Sequence, residues 1–252
     1  MLTDHPASRH IPQLRQLWQE AFGDSDAFLD SFFRTAFSPD RCLCIFSGDS
    51  LAAALYWMDC ALEEQRLAYI YAVATRRDFR GRGLCRMLMN RTHELLARRG
   101  YAGAVLVPQQ ESLRQMYAGM DYASFGGLTV FRCSAEAPAV TLRSVGPEAF
   151  AALRRRLLPP DSVLQEGHSL AFLSEQLQFY SGADWLLAGY CEKGILHAVE
   201  LLGNTASSAG IVAALGCTGG IFRTPGTEKP FAMFRPLREN AAIPQYFGFA
   251  FD

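Results

Sequence analysis

The run Arg80-Gly81-Arg82-Gly83-Leu84-Cys85-Arg86 contains the residue types of this chain that are best suited to chemistry with an anion. Its two glycines allow the backbone a tight turn without a Cβ that would keep a ligand away. Its three arginines add positive charge and several N–H donors at the rim of that turn. The run therefore predicts a binding site for phosphate groups.

The elements on either side of this run would position it. Residues 67–75 are apolar on both faces, which is typical of a buried strand, and residues 83–99 have the apolar spacing of an amphipathic helix that ends at Gly100. A strand that turns directly into a helix points the first free backbone N–H groups, and the positive end of the helix dipole, at a ligand above the turn. This arrangement favours one phosphate-bearing molecule at the start of the helix.

The run resembles the R/Q-x-x-G-x-G/A signature of the GNAT-type N-acetyltransferase superfamily, and the resemblance covers about residues 8–133. It implies acetyl-coenzyme A (acetyl-CoA) as co-substrate and no metal. The strand residues implied to contact its pantetheine arm through their backbones are Val73, Ala74 and Thr75. The loop residues implied to hold its pyrophosphate are Arg80, Gly81, Arg82, Gly83, Leu84, Cys85 and Arg86. Cys85 departs from the signature, which has glycine or alanine there. The alternative is that the run is only a solvated turn.

A second segment, residues 116–122, resembles the F-Y-x-x-x-G-F motif of the same superfamily. Asp121 replaces the glycine, and Gln110 stands where asparagine is common. The resemblance implies that Tyr117 protonates the departing thiolate of coenzyme A, since a phenol with a pKa near 10 holds its proton at neutral pH. The alternative role for Tyr117 is to pack a short helix against the sheet.

The sequence identifies no base for deprotonating an amine, because residues 67–75 contain no acid. The backbone N–H of Val73, or of a neighbour, is a candidate donor to the carbonyl oxygen. The overall plan also resembles the intracellular-survival type of acetyltransferase, whose C-terminal carboxylate serves as base, and this suggests Asp252. Glu200 is a second candidate. The alternative for Asp252 is that it only ends a closing strand. The alternative for Glu200 is a solvated strand residue.

Apolar periodicity and turn residues predict two α+β halves. In the first half we expect helices over 12–22, 27–37, 83–99 and 111–120, and strands over 41–46, 51–58, 67–75, 102–107 and 122–133. In the second half we expect helices over 147–158, 172–179 and 207–215, and strands over 140–145, 185–191, 195–202, 231–234 and 246–251.

These elements predict an α/β (α+β) fold, a mixed central sheet with flanking helices of GNAT type followed by a second, degenerate GNAT-like or companion half. Residues 1–133 would form the acetyltransferase domain, 134–140 a linker and 141–252 the second half. Cys42 and Cys44 alternate on one strand and are expected in the core, whereas His93 is expected to face solvent.

Composition and charge argue against several classes of protein. The net charge is −1, and the basic residues cluster near one predicted helix, which argues against nucleic acid as a partner. Seven scattered cysteines without metal-ligand spacing favour reduced thiols and a cytoplasmic location. A polar start and the absence of a long apolar run indicate neither a signal peptide nor a membrane span.

The sequence thus favours an N-acyltransferase that moves an acetyl group from acetyl-CoA to an amine by direct attack. The alternatives are a coenzyme A-binding sensor or scaffold without chemistry, and a nucleic-acid-binding protein. The acceptor stays open among small amines and peptide N-termini, and so does assembly into a homo-oligomer.

Overall fold

The computed structural model describes residues 1–250, which form two mixed sheets flanked by helices. The elements of the first part of the chain are β1 (Leu2–Asp4), α1 (Ile11–Phe22), α2 (Asp26–Thr35), β2 (Cys42–Ser47), β3 (Ser50–Leu62), β4 (Gln65–Thr75), α3 (Leu84–Arg98), β5 (Gly103–Leu106), α4 (Glu111–Ala118) and β6 (Ala123–Phe125). Those of the second part are β7 (Leu128–Ser134), β8 (Arg143–Ser144), α5 (Pro147–Leu157), α6 (His168–Gln176), β9 (Gln178–Ser181), β10 (Trp185–Glu192), β11 (Ile195–Gly203), α7 (Ser208–Ala214), β12 (Gly219–Pro225) and β13 (Ala232–Pro236).

The first sheet has the strand order β1-β2-β3-β4-β5-β13-β6. Among its pairs within residues 1–250, only β4 and β5 run parallel, and α3 connects them. One face packs against α3 through Leu84, Leu88 and Leu96, while the opposite face packs against α1 and α2 through Trp18 and Phe32. Both faces are covered, which explains why β3 and β4 are apolar at consecutive positions.

The second sheet repeats this plan with the order β8-β9-β10-β11-β12-β7. In the described part of the chain its only parallel pair of strands is β11 and β12. α7 lies between them in the chain, as α3 lies between β4 and β5. Two helices precede β9, as two helices precede β2. The expected two-half α+β fold is therefore confirmed, with the second half as a reduced copy of the first.

The two sheets exchange their last strands. β7 is the last strand of the predicted first half but pairs with β12 of the second sheet. β13, near the other end of the chain, inserts between β5 and β6 of the first sheet. The division into domains at residues 134–140 stays a prediction, and the sheets do not follow it.

Several predicted elements were wrong. Residues 246–250 form no strand; only Tyr246 makes an isolated bridge, to Ser162, and Phe251 lies outside the described residues. The helix expected over 172–179 ends at Gln176, because Gln178 already starts β9 on the edge of β10. The strand expected over 140–145 shrinks to Arg143–Ser144.

Two side-chain predictions had opposite outcomes. The sulfur atoms of Cys42 and Cys44 lie 3.8 Å apart in the core, as expected. His93 is buried instead of solvent-facing, and its Nε2 lies 2.8 Å from the Tyr122 hydroxyl. The prediction for His93 was wrong because Tyr122, in the turn before β6, covers that side of α3. Among residues 1–250, no helix is long and apolar enough to cross a bilayer.

Candidate active site

Strand β4 is interrupted by a bulge at the point where it leaves β5. Its parallel pairing with β5 ends at Tyr69 and Val105. On the other side, the register with β3 shifts so that Ala72 and Val73 together face Leu55. Ala72 has a left-handed backbone with φ of 47°, which is strained for a residue with a Cβ. The bulge opens a gap between β4 and β5 and turns the backbone towards it.

The arginine-glycine loop after β4 forms a cluster of free backbone donors. Gly81 and Gly83 both have φ of 74°, and a Cβ built on either would meet no protein atom within 4 Å. The first hydrogen bond of α3 runs from the Met87 N–H to the Gly83 oxygen, at 3.0 Å. In the described chain, the N–H groups of residues 81–86 donate to no protein carbonyl. These donors and the open space above them fit an anion.

The three arginines of the loop are held by backbone carbonyls. Arg80 donates from Nε to the Thr75 oxygen at 2.9 Å, and Arg82 donates to the Asp78 oxygen at 2.8 Å. Arg86 donates to the oxygen of Gly119, which follows α4, at 2.7 Å. Each guanidinium keeps further N–H donors for a ligand. Arg86 also ties the start of α3 to the end of α4, the helix that carries Tyr117.

Cys85 lies half-buried in the first turn of α3 and packs against the apolar core beneath it. Burial raises the pKa of its thiol above the ordinary value, and the nearby Arg86 only partly opposes this shift. A thiol held in its protonated form is a poor nucleophile. Its small side chain fills core space under the loop.

A cavity of about 330 Å³ lies in the gap between β4 and β5. Ala72 and Val73 line it from the bulge, and Tyr117 lines it from α4. The Tyr117 side chain is 7% exposed, and burial raises the pKa of its phenol. Its hydroxyl makes no hydrogen bond with residues 1–250 and so is available to a molecule in the cavity.

The structure brings only part of the predicted pantetheine strand to this cavity. Val73 is on its wall, whereas Ala74 and Thr75 pair with Ala54 and Ala53 of β3 and are not among the described lining residues. Thr75 instead orients Arg80 through its carbonyl. The roles of these backbones towards a ligand stay predictions.

Asp121, which departs from the motif glycine, has a left-handed backbone with φ of 63°. Its carboxylate lies 3.3 Å from the guanidinium of Arg235 on β13. Aspartate tolerates this conformation better than most residues. The turn after Tyr117 thus keeps a glycine-like geometry without glycine.

Asp24 is a cavity residue that the sequence analysis missed. It lies between α1 and α2 and accepts a hydrogen bond from the Trp18 Nε1 at 2.8 Å. Burial, and to a smaller extent the charge of Asp24, raises the pKa of Tyr71 on the same wall. The only sequence signal was the Gly23 break between two helices, which says nothing about what the loop faces.

Glu200, one of the two candidate bases, does not line the cavity. Glu200 is 1% exposed and binds Arg154 through both oxygens, at 2.6 and 2.9 Å, while Tyr246 donates to it at 3.0 Å. The expectation of a solvated strand residue was wrong, because β11 belongs to the second sheet and places this carboxylate in a buried ion pair with Arg154. Its role as a base stays a prediction. Asp252 lies outside the described residues.

The second half repeats the bulge but not the anion site. Val199 is the unpaired residue of β11, in the place that the bulge occupies in β4. Before α7, the Asn204 side chain accepts from the Ala206 N–H at 3.0 Å and caps the turn itself. Within residues 1–250, no group of three metal-ligating side chains is assembled.

Comparisons with known proteins agree with this geometry. Residues 4–125 match the family described as acetyltransferase (GNAT) domain. No curated protein matches the sequence.

Solved structures share the fold over nearly the whole chain. A GCN5-related N-acetyltransferase from Kribbella flavida is 18% identical, with a TM-score of 0.71 over 94% of this chain and 72% of its own. A probable N-acyltransferase from Enterococcus faecalis is 14% identical, with a TM-score of 0.74 over 97% and 74%. Eis1 from Mycobacterium abscessus is 13% identical, with a TM-score of 0.69 over 94% and 74%.

Proposed function

We propose that this chain, which carries an acetyltransferase (GNAT) domain in residues 4–125, transfers the acetyl group of acetyl-CoA to the nitrogen of an amine. The observation that carries the proposal is the continuity of one strand-loop-helix unit. The bulge of β4 borders the cavity, and the loop after β4 presents free N–H donors and three arginines. An elongated molecule with a diphosphate at one end and a reactive group at the other matches this layout.

The loop would hold the diphosphate. The N–H groups of residues 81–86 would donate to its oxygens, and the guanidinium groups of Arg80, Arg82 and Arg86 would neutralise its charge. Val73 would orient the pantetheine arm through its backbone at the bulge, where an N–H could also donate to the acetyl oxygen. Acetyl-CoA supplies an activated acetyl group, whose transfer forms the C–N bond and breaks the C–S bond.

Tyr117 would hold a proton for the departing sulfur. Burial raises its pKa, so the phenol stays protonated at and above neutral pH. The hydroxyl borders the cavity, has no hydrogen-bond partner within residues 1–250 and is therefore free to donate. The proton of the attacking amine would pass to water, and a second proton from water would restore the phenol.

Transfer would be direct, without an acyl-enzyme. Cys85, the only cysteine in the loop, lies at the phosphate end with a raised thiol pKa. We expect Cys85→Ala to keep single-turnover transfer within about 3-fold of the wild type, measured with saturating acetyl-CoA, since it removes no group from the reacting end. Loss of transfer with cofactor binding intact would contradict direct attack.

The test of the function is thiol release from acetyl-CoA across a panel of primary amines, together with calorimetric binding of coenzyme A. Amine-dependent release supports the proposal. Tight binding without release for any amine would instead indicate a sensor or scaffold. Failure to bind coenzyme A would reject both, and steeply salt-dependent DNA binding would favour the nucleic-acid-binding alternative.

We also propose a cytoplasmic location, supported by the free state of all seven cysteines. Cell fractionation of a tagged chain tests it, and recovery outside the cytoplasmic fraction would reject it.

A further inference from the structure

We propose that the acceptor is a small primary amine with an aromatic or apolar body, and that Asp24 binds its ammonium group. The inference rests on the proposed acetyl transfer, and it adds a substrate class and a residue that determines specificity. It follows from the shape, the charge and the size of the cavity between β4 and β5.

Aromatic rings form the wall of the cavity on the side of α1 and α2. Trp18 and Phe22 come from α1, Phe28 comes from α2, and Tyr71 comes from β4. The rings of Trp18 and Tyr71 have their centroids 5.7 Å apart, and Trp18 and Phe28 are 6.4 Å apart. Such a wall stacks on flat or apolar groups, and it also attracts a cation through the ring faces.

Asp24 is the only charged residue among the described residues that line the cavity. Its Oδ2 accepts from Trp18, while its Oδ1 accepts no hydrogen bond from the described residues. A carboxylate with one open oxygen beside aromatic faces matches an ammonium group with an apolar body.

The loop that carries Asp24 is held at both ends. Gly23 ends α1 in a left-handed conformation, and the Ser25 side chain caps α2 by accepting from the Phe28 N–H at 3.2 Å. Asp24 therefore keeps a fixed position between two helix ends. A fixed charge binds a cation without the entropic cost of ordering a flexible side chain.

The size of the cavity limits the acceptor. A volume of about 330 Å³ is small for a ligand site, and part of it faces Val73 and Tyr117, where the reacting group would lie. A polycationic amino sugar would bring several ammonium groups to one carboxylate. A compact arylalkylamine has one ammonium group, which one carboxylate can bind. The acceptor would enter as an ammonium ion and lose one proton to water before its nitrogen attacks.

The experiment compares phenethylamine and tryptamine with ethanolamine and kanamycin in the thiol-release assay, for the wild type and for Asp24→Asn. The Asp24→Asn variant keeps an acceptor for Trp18 but removes the charge. We expect the wild type to favour the arylalkylamines. We expect the variant to raise their KM about 10- to 100-fold, the value of a charge-assisted hydrogen bond, while KM for acetyl-CoA stays unchanged.

Asp26→Asn is the matched control, because Asp26 lies two residues away on the surface, does not line the cavity and contacts Arg15 and Gln19. It should leave both KM values unchanged. Calorimetric titration of phenethylamine into the coenzyme A-bound protein gives a readout independent of turnover, and thermal melting checks folding.

The outcomes separate the inference from the proposed function. Turnover with kanamycin or ethanolamine in preference to arylalkylamines overturns the substrate class and leaves acetyl transfer standing. An Asp24→Asn variant with unchanged KM for arylalkylamines overturns the role of Asp24. No thiol release with any amine rejects the proposed function itself.

Discussion

Tyr117 is the residue on which the proposed chemistry depends most directly. Replacing it with phenylalanine removes one hydroxyl and keeps the ring that packs 5.8 Å from Tyr122. We expect Tyr117→Phe to lower kcat about 10²-fold, the lower range for a general acid, with KM for acetyl-CoA nearly unchanged. Steady-state kinetics with a fixed amine measures both.

The pH profile gives a second check on Tyr117. Because burial raises the pKa of the phenol, the wild-type kcat should not fall as pH rises towards 10. The control is Tyr190→Phe, which changes an exposed tyrosine of the second half and should leave kcat and its pH profile unchanged. A fully active Tyr117→Phe variant would assign the residue to packing alone.

His93 makes stability depend on pH. Burial, and to a smaller extent Arg235, lowers the pKa of His93 to about 3, far below its ordinary value. The unfolded chain then binds a proton near pH 6.5 that the folded chain binds only near pH 3. The stability contributed by neutral His93 is therefore complete above pH 6.5 and is lost as pH falls towards 3.

His93→Gln should remove this dependence while keeping an amide near the Tyr122 hydroxyl, 2.8 Å from the original ring nitrogen. Between pH 7 and pH 5, we expect the wild type to lose on the order of 2 kcal/mol more unfolding free energy than the variant. Urea titrations at the two pH values measure the difference. Parallel losses in both proteins would show that His93 is protonated in the folded state.

At the scale of elements, the loop between β4 and α3 depends on backbone conformation. Gly83 has φ of 74°, and the space beside it contains no protein atom within 4 Å. Gly83→Ala should cost about 1–2 kcal/mol of stability because of the left-handed backbone. It should also raise the Kd for coenzyme A by about 10-fold or more, because the added methyl enters the space proposed for phosphate.

Gly216→Ala is the matched control for this prediction. Gly216 follows α7, has φ of 68° and also has no protein atom within 4 Å of an added Cβ. The control should lose similar stability and keep its affinity for coenzyme A. Calorimetry and thermal melting separate the two effects. Equal affinity in both variants would argue against a phosphate site at Gly83.

Local sequence patterns predicted the helices and strands around the site because these elements depend on interactions between residues that are near in sequence. The alternating or continuous apolar runs of β3 and β4, and the glycines before α3, are set by burial and by φ, which neighbouring residues determine. The same patterns could not predict that Asp24 lines the cavity or that His93 is buried. Strand β4 shares the cavity wall with Asp24, and Tyr122 covers His93. These neighbours are distant in sequence, so no local spacing indicates that they lie close together.

At the scale of the whole molecule, the exchanged strands limit what a fragment can do. Residues 1–140 would lack β13, which leaves β5 with an open edge and β6 without the strand it pairs with. We expect this fragment to aggregate or to unfold without cooperativity, as exposed edges promote association. Size-exclusion chromatography and thermal melting test this.

A protease site inserted within residues 134–140 of the full chain provides the control. After cleavage the two pieces should remain together, because β7 and β13 each pair with the other half. A soluble, cooperatively melting fragment 1–140 would show that the first half is an independent domain.

The sequence could not predict this exchange, although it predicted most of the strands. β13 was expected as a closing strand of the second half, since neighbours in sequence usually pair. β13 follows β12 in the chain, yet it pairs with β5 and β6, so its neighbours in sequence do not indicate its partner strands. The second half was identified as a reduced copy from its element order, which does survive in the sheet topology.

The position of β13 also has a consequence for biosynthesis. A ribosome releases β5 long before it releases Pro236, so the nascent first sheet waits with an unsatisfied edge while the rest of the chain is translated. The phosphate loop and α3 are already outside by then, but the sheet beneath them is incomplete. Nascent chains of this protein should therefore depend on chaperones until Pro236 has left the ribosome, and faster translation of residues 107–236 should improve the yield of soluble protein.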